Sequence, residues 1–185
     1  MARQRTAPPG DGWTHVSADT LQIEPVADVS AFDPAAWEIP HEAPFLCELH
    51  VDHSLVSRAV PHVNNIGFVQ WVDRVAELHA DSLGYTREEL LRRGVMWFVV
   101  RHEIDYLAEA WPNDQLLLAT WVRTMQRVKS WRDTVVLRPA DQTVLCRAAT
   151  LWVLVDLQTR RPLRHEPEMI SSFAPLQTPQ RCTSP

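Results

Sequence analysis

Residues 61–84 read PHVNNIGFVQWVDRVAELHADSLG. From residue 66 onward, apolar side chains recur every three or four positions, which is the spacing of one face of an α-helix. Asn64 and Asn65 are favoured helix-capping residues and Gly84 is a common helix stop, so the sequence predicts a long amphipathic helix with one covered side. The apolar face consists of Phe68, Trp71, Val72, Val75, Leu78 and Leu83.

On either side of this helix the periodicity is that of β-strands. Residues 44–56 read as a first strand, and after the helix Thr86 and Glu89 form a capping box that opens a second, short helix. Strand-like runs separated by turn sequences follow, and the last of them is apolar on both faces, as an interior strand would be. The order of strand, long helix, short helix and four strands predicts an α+β fold, with the helix packed on a curved antiparallel sheet. The runs are 96–107, 115–128, 130–139 and 143–156.

The distribution of proline divides the chain. Six of the 14 prolines lie before residue 45 and five lie from residue 162 onward, so regular structure is expected between them. A length of 185 residues suits one domain. We therefore predict an N-terminal extension at 1–44 that packs on the core through its apolar side chains, a core domain at 45–165 and a C-terminal tail at 166–185.

Composition excludes several classes of protein. The net charge of −5 and the lack of a basic run disfavour nucleic-acid binding. No apolar run is long enough to span a membrane, and no signal-peptide pattern is present. We therefore expect a cytoplasmic protein that does not act at a membrane. The three cysteines are widely spaced, which fits neither a disulfide framework nor a zinc site. We expect neither a metal nor a cofactor.

The helix and its entrance resemble the hotdog-fold acyl thioesterases of the 4-hydroxybenzoyl-CoA thioesterase-like kind. In that family an H-V-N-N element opens the central helix and is followed by aromatic, Trp and acidic positions, as at residues 62–73 here. The stretches 103–106, 111–114 and 149–156 also look like strands of that family in the right order. The resemblance implies a hotdog fold, an acyl-CoA or acyl-carrier-protein substrate, and a homodimer or homotetramer. It also implies an acyl group between subunits, with the thioester carbonyl at the N-terminus of the central helix.

The start of the helix supplies candidate catalytic residues. Unpaired first-turn N–H groups and the helix dipole suit an oxygen that gains negative charge, and Gly67 would let a substrate approach this backbone. His62 is a candidate hydrogen-bond donor or general acid–base. Asn64 and Asn65 either cap the helix or orient the nucleophilic water.

One position departs from the family pattern. The catalytic carboxylate usually lies four residues before the motif histidine, where this chain has Arg58, which cannot act as a nucleophile or general base. We assign Arg58 to substrate binding. Asp73, on the helix, is the predicted replacement base, with Glu77 as the second candidate. The alternative is that Asp73 and Glu77 are ordinary charges on a solvated helix.

Other polar groups allow two interpretations. Arg127 and Lys129, with neighbouring arginines, either meet the phosphates of coenzyme A or form a solvated hairpin. His79, within the apolar arc of the helix, is interpreted as a core or interface histidine, and His102 as part of a sheet edge or interface rather than a ligand. A metal site at residues 50–53 is disfavoured because neighbouring side chains on a strand point to opposite faces.

The sequence thus predicts an acyl thioester hydrolase. The alternative is a non-catalytic hotdog protein that binds acyl thioesters or serves a structural role, because Arg58 replaces the usual acid. A hotdog hydratase is a weaker third interpretation, since the usual Asp and His pair is not evident at the helix entrance.

Overall fold

Strand pairing organises the molecule into one antiparallel sheet with a long helix on its concave side. The structure is a computed structural model that describes residues 21–56 and 60–176. The elements in chain order are β1 (Ile23–Pro25), β2 (Phe45–His50), α1 (Asn65–Ser82), α2 (Arg87–Arg92), β3 (Val95–Tyr106), β4 (Gln115–Gln126), β5 (Lys129–Arg138), β6 (Thr143–Asp156) and α3 (Pro167–Phe173). This is the predicted α+β hotdog architecture.

The sheet has six strands in the order β1-β2-β4-β5-β6-β3. All pairs are antiparallel, and register shifts in β3, β4 and β6 mark bulges that bend the strands around the helix. β6 lies between two neighbours, as its apolar faces predicted. β3 lies at an open edge, and its residues Phe98, Val99 and Val100 are exposed.

The central helix forms where its periodicity predicted it. Its buried residues Phe68, Trp71, Val72 and Val75 pack against inward-facing side chains of the sheet in one hydrophobic cluster. α2 begins at the predicted capping box, with the Thr86 hydroxyl accepting a hydrogen bond from the Glu89 N–H at 3.2 Å. α2 packs against β3 and buries Leu90.

The first strand is shorter than residues 44–56. β2 ends at His50, and the chain then turns, with the Asp52 carboxylate accepting a hydrogen bond from the Ser54 N–H at 2.7 Å. A local turn of this kind competes with strand pairing, because the side chain offers the backbone another hydrogen-bond partner. Residues 51–56 consequently lie outside β2.

Both extensions carry structure in their described parts. β1 pairs with β2, and residues 26–39 supply apolar side chains to a second cluster on the convex face of the sheet, against Trp121, Val135 and Leu137. At the other end, α3 lies within the segment 166–185 and buries Met169 and Phe173. The division of the chain into a core and two extensions stays a prediction.

Candidate active site

The start of α1 is closed by Asn64. Its Oδ1 accepts a hydrogen bond from the Gly67 N–H at 3.0 Å, and its Nδ2 donates to the Leu55 carbonyl at 3.0 Å. Of the two roles left open for Asn64, the structure shows the cap, because both polar atoms are used to hold the backbone. Asn65 is the first residue of the helix and is exposed, and its catalytic role stays a prediction.

Gly67 is buried where the helix meets the preceding loop. A Cβ at this position would lie 2.6 Å from Cγ1 of Val63 and 3.3 Å from the Leu55 side chain. Close packing of the chain against itself therefore requires the glycine, which is a different reason from the substrate approach that we expected.

His62 lies just before the helix, beside a carboxylate. Its Nδ1 is 3.3 Å from Oε1 of Glu109, which is in the loop after β3. This contact lacks the alignment of a hydrogen bond, and Nδ1 is buried without another partner in the described part of the chain. The imidazole also meets the edge of Trp111, with ring centroids 6.4 Å apart. The motif histidine is thus placed next to an acidic group that the sequence did not associate with it.

A cavity of about 460 Å³ runs along the flank of α1 between the helix and strands β3, β5 and β6. Most of its wall is apolar and aromatic, and Asp73 lines it from the helix side. The helix start is outside it, since the helix contributes residues from Gln70 to Asp81 and none from the capping motif. Further lining residues are Met96, Trp97, Phe98, Met125, Trp152 and Phe173.

Asp73 faces His102 across the cavity wall. Oδ1 of Asp73 is 3.8 Å from Nε2 of His102, whose Nδ1 is 3.0 Å from the Thr150 hydroxyl. Burial raises the pKa of the Asp73 carboxyl above its ordinary value, while His102 opposes this and Glu77 adds to it. The side chain is 49% exposed in a single subunit, so the carboxylate is partly desolvated but accessible. This is the environment of a carboxylate that can take up a proton.

Glu77 is held by two arginines. Its carboxylate lies 2.7 Å from Arg74 and 3.4 Å from Arg87. A carboxylate engaged by two guanidinium groups has fewer free lone pairs with which to bind a water molecule. Between the two candidates that the sequence offered, the geometry favours Asp73.

The predicted phosphate-binding residues lie away from these groups. Arg127 and Lys129 are exposed at the turn between β4 and β5, and neither lines the cavity. Arg58 lies outside the described residues. The roles of all three in substrate binding stay predictions.

Two residues of the candidate site were missed by sequence reasoning. His102 was assigned to an edge or interface, and its alternation along β3 does not reveal that its side chain turns toward α1. Glu109 follows β3 in a loop with no periodic signal. The only sequence signal for the Asp73–His102 pair was an acidic residue on the helix together with a histidine on a predicted strand.

In residues 21–56 and 60–176, no group of three or more His, Cys, Asp or Glu side chains is placed to hold a metal ion. None of the helices in this part of the chain is long and apolar enough to cross a membrane. Burial raises the pKa of the thiols of Cys47 and Cys146 to about 12, so both are unreactive packing residues.

Solved structures with the same fold include several thioesterases. A 1,4-dihydroxy-2-naphthoyl-CoA thioesterase from Synechocystis aligns with a TM-score of 0.66 and 20% identity, over 71% of this chain and 96% of that one. A Staphylococcus aureus protein in complex with CoA gives 0.67 and 14%, over 71% and 82%. An acyl-ACP thioesterase from Bacteroides thetaiotaomicron gives 0.59 and 19%, over 65% and 49%. At these identities the likeness establishes the fold.

Sequence comparison gives the family. A chloroplastic oleoyl-acyl carrier protein thioesterase from Coriandrum sativum is 29% identical over 90 residues, which is 45% of this chain and only 24% of that relative. The model of the thioesterase-like superfamily matches residues 45–173, a range that contains the helix start, most of the cavity wall and the Asp73–His102 pair. The chain therefore belongs to the thioesterase-like superfamily.

Proposed function

We propose that this protein hydrolyses acyl thioesters whose acyl group occupies the cavity beside α1. The observation that carries the proposal is Asp73, a partly desolvated carboxylate that lines an apolar cavity and faces an imidazole. Apolar walls with a few polar groups are typical of small-molecule sites. Membership of the thioesterase-like superfamily supports the class of reaction.

The chemistry follows from the position of Asp73. As a general base, its carboxylate takes a proton from a water molecule while the water oxygen bonds to the thioester carbonyl carbon. The tetrahedral intermediate then collapses, the carbon–sulfur bond breaks, and the proton held by Asp73 goes to the leaving thiolate. The products are a carboxylic acid and a free thiol. His102 orients the carboxylate, and Thr150 in turn holds His102.

The negative charge on the carbonyl oxygen needs donors, which the start of α1 provides in the form of backbone N–H groups and His62. Asp73 is eight residues beyond Asn65, so at about 1.5 Å per residue the two lie about 12 Å apart along one helix. One carbonyl cannot contact both within a subunit. We infer that each site combines the helix start of one subunit with Asp73 of the other.

The open edge of β3 supports such a dimer. Phe98, Val99, Val100 and Tyr106 expose apolar surface along this strand. Unpaired edge strands tend to pair, and a two-fold axis at this edge would bring two α1 helices side by side in opposite directions. Antiparallel helices place the start of each one near the middle of the other. The carrier of the acyl group, coenzyme A or an acyl carrier protein, would approach from the helix start.

A second candidate function is non-catalytic binding of an acyl thioester. Arg58, at the position of the family's usual acid, is the observation that favours it. A charged guanidinium in place of a carboxylate suits phosphate binding without hydrolysis.

A free-thiol release assay over a panel of acyl-CoA esters and acyl carrier proteins tests the proposal. The wild-type protein should release thiol, and Asp73→Asn should lower kcat/KM by about 10²–10⁴-fold because it removes the base but keeps the shape. Asp81→Asn is the matched control, since Asp81 lines the same cavity on the same helix and burial also raises its pKa. It should retain near wild-type activity. Binding of a non-hydrolysable acyl-CoA analogue without thiol release would favour the binding protein.

A further inference from the structure

Arg132 is a buried cation in the wall of the cavity. It lies on β5, faces α1, and is only 6% exposed. Ser130 and Thr134, which share this face of the strand, are also buried. The arginine is therefore fixed beneath the C-terminal half of α1, at the opposite end of the cavity from the helix start.

The guanidinium has neutral neighbours. Nη1 donates to Nδ1 of His79 at 2.8 Å and approaches the Thr120 hydroxyl at 3.4 Å, and the Phe173 ring lies 5.7 Å from Cζ. Burial, and then the charge of Arg132, lowers the pKa of His79 to about 3, so this imidazole is an uncharged acceptor. Within residues 21–56 and 60–176, no carboxylate lies within ion-pair distance of Arg132 and no hydrogen-bond partner is found for Nε or Nη2.

The other cations of the cavity differ from Arg132 in this respect. Arg74 and Arg87 both pair with the Glu77 carboxylate, so these two cations have a counter-charge and Arg132 has none in the described residues. A buried guanidinium without a counter-charge is unfavourable, since desolvation of the charge is not compensated by a partner. A ligand that brings a negative group would supply the missing partner, and a planar carboxylate matches the two free edges of the guanidinium.

We propose that Arg132 binds a carboxylate at the far end of the acyl chain, so that the preferred substrates are thioesters of dicarboxylic acids. This inference rests on the proposed function of the cavity. The apolar wall formed by Met125, Trp97 and Phe173 accommodates the methylene chain between the two ends. Recognition of the second carboxylate would exclude simple fatty acyl chains, because they leave the buried cation unpaired.

The helix gives the length of chain to test. His79, which contacts Arg132, is six residues beyond Asp73 and 14 beyond Asn65, so it lies about 9 Å and about 21 Å from them along the axis. A medium-length acyl chain spans the first distance and a long one spans the second. Two pairs of probes cover both, namely decanoyl-CoA with decanedioyl-CoA and palmitoyl-CoA with hexadecanedioyl-CoA.

The experiment measures kcat/KM for these four thioesters. The wild-type protein should prefer the dicarboxylic member of at least one pair by about tenfold or more. Arg132→Met should lower kcat/KM for that dicarboxylic thioester by about 10²-fold, because a buried charge pair is lost. The rate with the monocarboxylic member should change little. Arg132→Lys, which keeps the charge but not the fork, should fall in between. Arg92→Met, at an exposed arginine outside the cavity, is the matched control.

Several outcomes overturn the inference. If the wild-type protein shows no preference for the dicarboxylic member of either pair, the inference is wrong. This result does not depend on the variants, so it holds even if Arg132→Met fails to fold. Equal losses on both members of a pair would reduce Arg132 to a structural residue. Weaker product inhibition by free CoA in Arg132→Met would assign the arginine to the phosphates of the carrier.

A binding arm separates this inference from the proposed function. If no thioester is hydrolysed, the proposed function fails, and calorimetry with monomethyl decanedioate and methyl decanoate still tests Arg132, because only the first carries a carboxylate at the far end of the chain. Tighter binding of monomethyl decanedioate by wild type, lost in Arg132→Met, supports the inference. Equal affinities for the two esters contradict it.

Discussion

The start and the middle of α1 each bring a histidine to a carboxylate, and the two pairs look alike by contact alone. His62 and Glu109 are 3.3 Å apart, and His102 and Asp73 are 3.8 Å apart. Both carboxylates are about half exposed, at 55% and 49% of their side chains. The closer pair lies outside the cavity, whereas Asp73 of the looser pair lines it. Distance between partners therefore does not identify a catalytic pair, whereas the surroundings do.

The surroundings give the two regions different capacities. At the start of α1, the Asn64 cap and the buried glycine fix the backbone of the first turn. In the middle, partial burial raises the pKa of the Asp73 carboxyl, which stays accessible. The first region suits an oxygen that gains charge, and the second suits the transfer of a proton.

The largest expected effect comes from combining the two regions across subunits. His62→Ala and Asp73→Asn should each lower turnover by about 10²-fold or more. After the two variants are unfolded and refolded together, half of the dimers are mixed and each mixed dimer has one intact site, so about a quarter of wild-type activity should return. Thiol release before and after mixing measures this. A mixture as inactive as its components would place both groups in one subunit's site or remove one of them from catalysis.

The pH profile should carry the signature of Asp73. Catalysis needs the ionised carboxylate, and burial raises its pKa above the ordinary 3.8. As pH falls, kcat/KM should therefore decline with a midpoint above that value, and the residual activity of Asp73→Asn should lack this inflection. A midpoint at the ordinary value would mean that the Asp73 carboxylate is not the base.

A smaller change is expected at the other pair. Glu109→Gln removes the charge beside His62 and leaves the cavity intact, so kcat/KM should fall by no more than about tenfold if the helix start acts through donors. The same assay at constant pH measures it. A loss as large as that of Asp73→Asn would indicate that Glu109, beside the helix start, is the base.

Gly67→Ala tests whether the entrance is held by packing. The added Cβ would lie 2.6 Å from Val63, so the variant should be destabilised by about 1–3 kcal/mol. Chemical denaturation measures the free energy of unfolding. An unchanged value, with impaired activity, would return Gly67 to the role of a substrate contact.

The smallest effect is on stability at the middle of the helix. Because the folded pKa of Asp73 is raised, the folded state binds a proton more tightly than the unfolded state, so ionisation of this group destabilises the fold. Asp73→Asn should therefore increase Tm slightly at neutral pH, and the difference should shrink as pH falls through the raised pKa. A lower Tm in the variant would indicate that the carboxylate is structural.

Prediction from sequence succeeded where the signal was periodic and failed where it depended on a neighbour in space. The apolar spacing of α1, the capping box at Thr86 and the alternation in the later strands each specify local structure, and all appear in the fold. His102 approaches Asp73 only because β3 passes beside the helix. Arg132, grouped by sequence with the cations of an exposed turn, is buried because its side of β5 faces α1.

The apolar segment that closes the convex face of the sheet also limits how many copies can assemble. Residues 26–39 cover that face within each subunit, so a second sheet has no free layer to stack on there. Among the described residues, a run of apolar side chains is exposed on β3. Once this edge pairs with the same edge of a second subunit, it cannot pair with a third. We therefore expect a closed dimer rather than a tetramer, because residues 26–39 occupy the sheet face on which further subunits would pack.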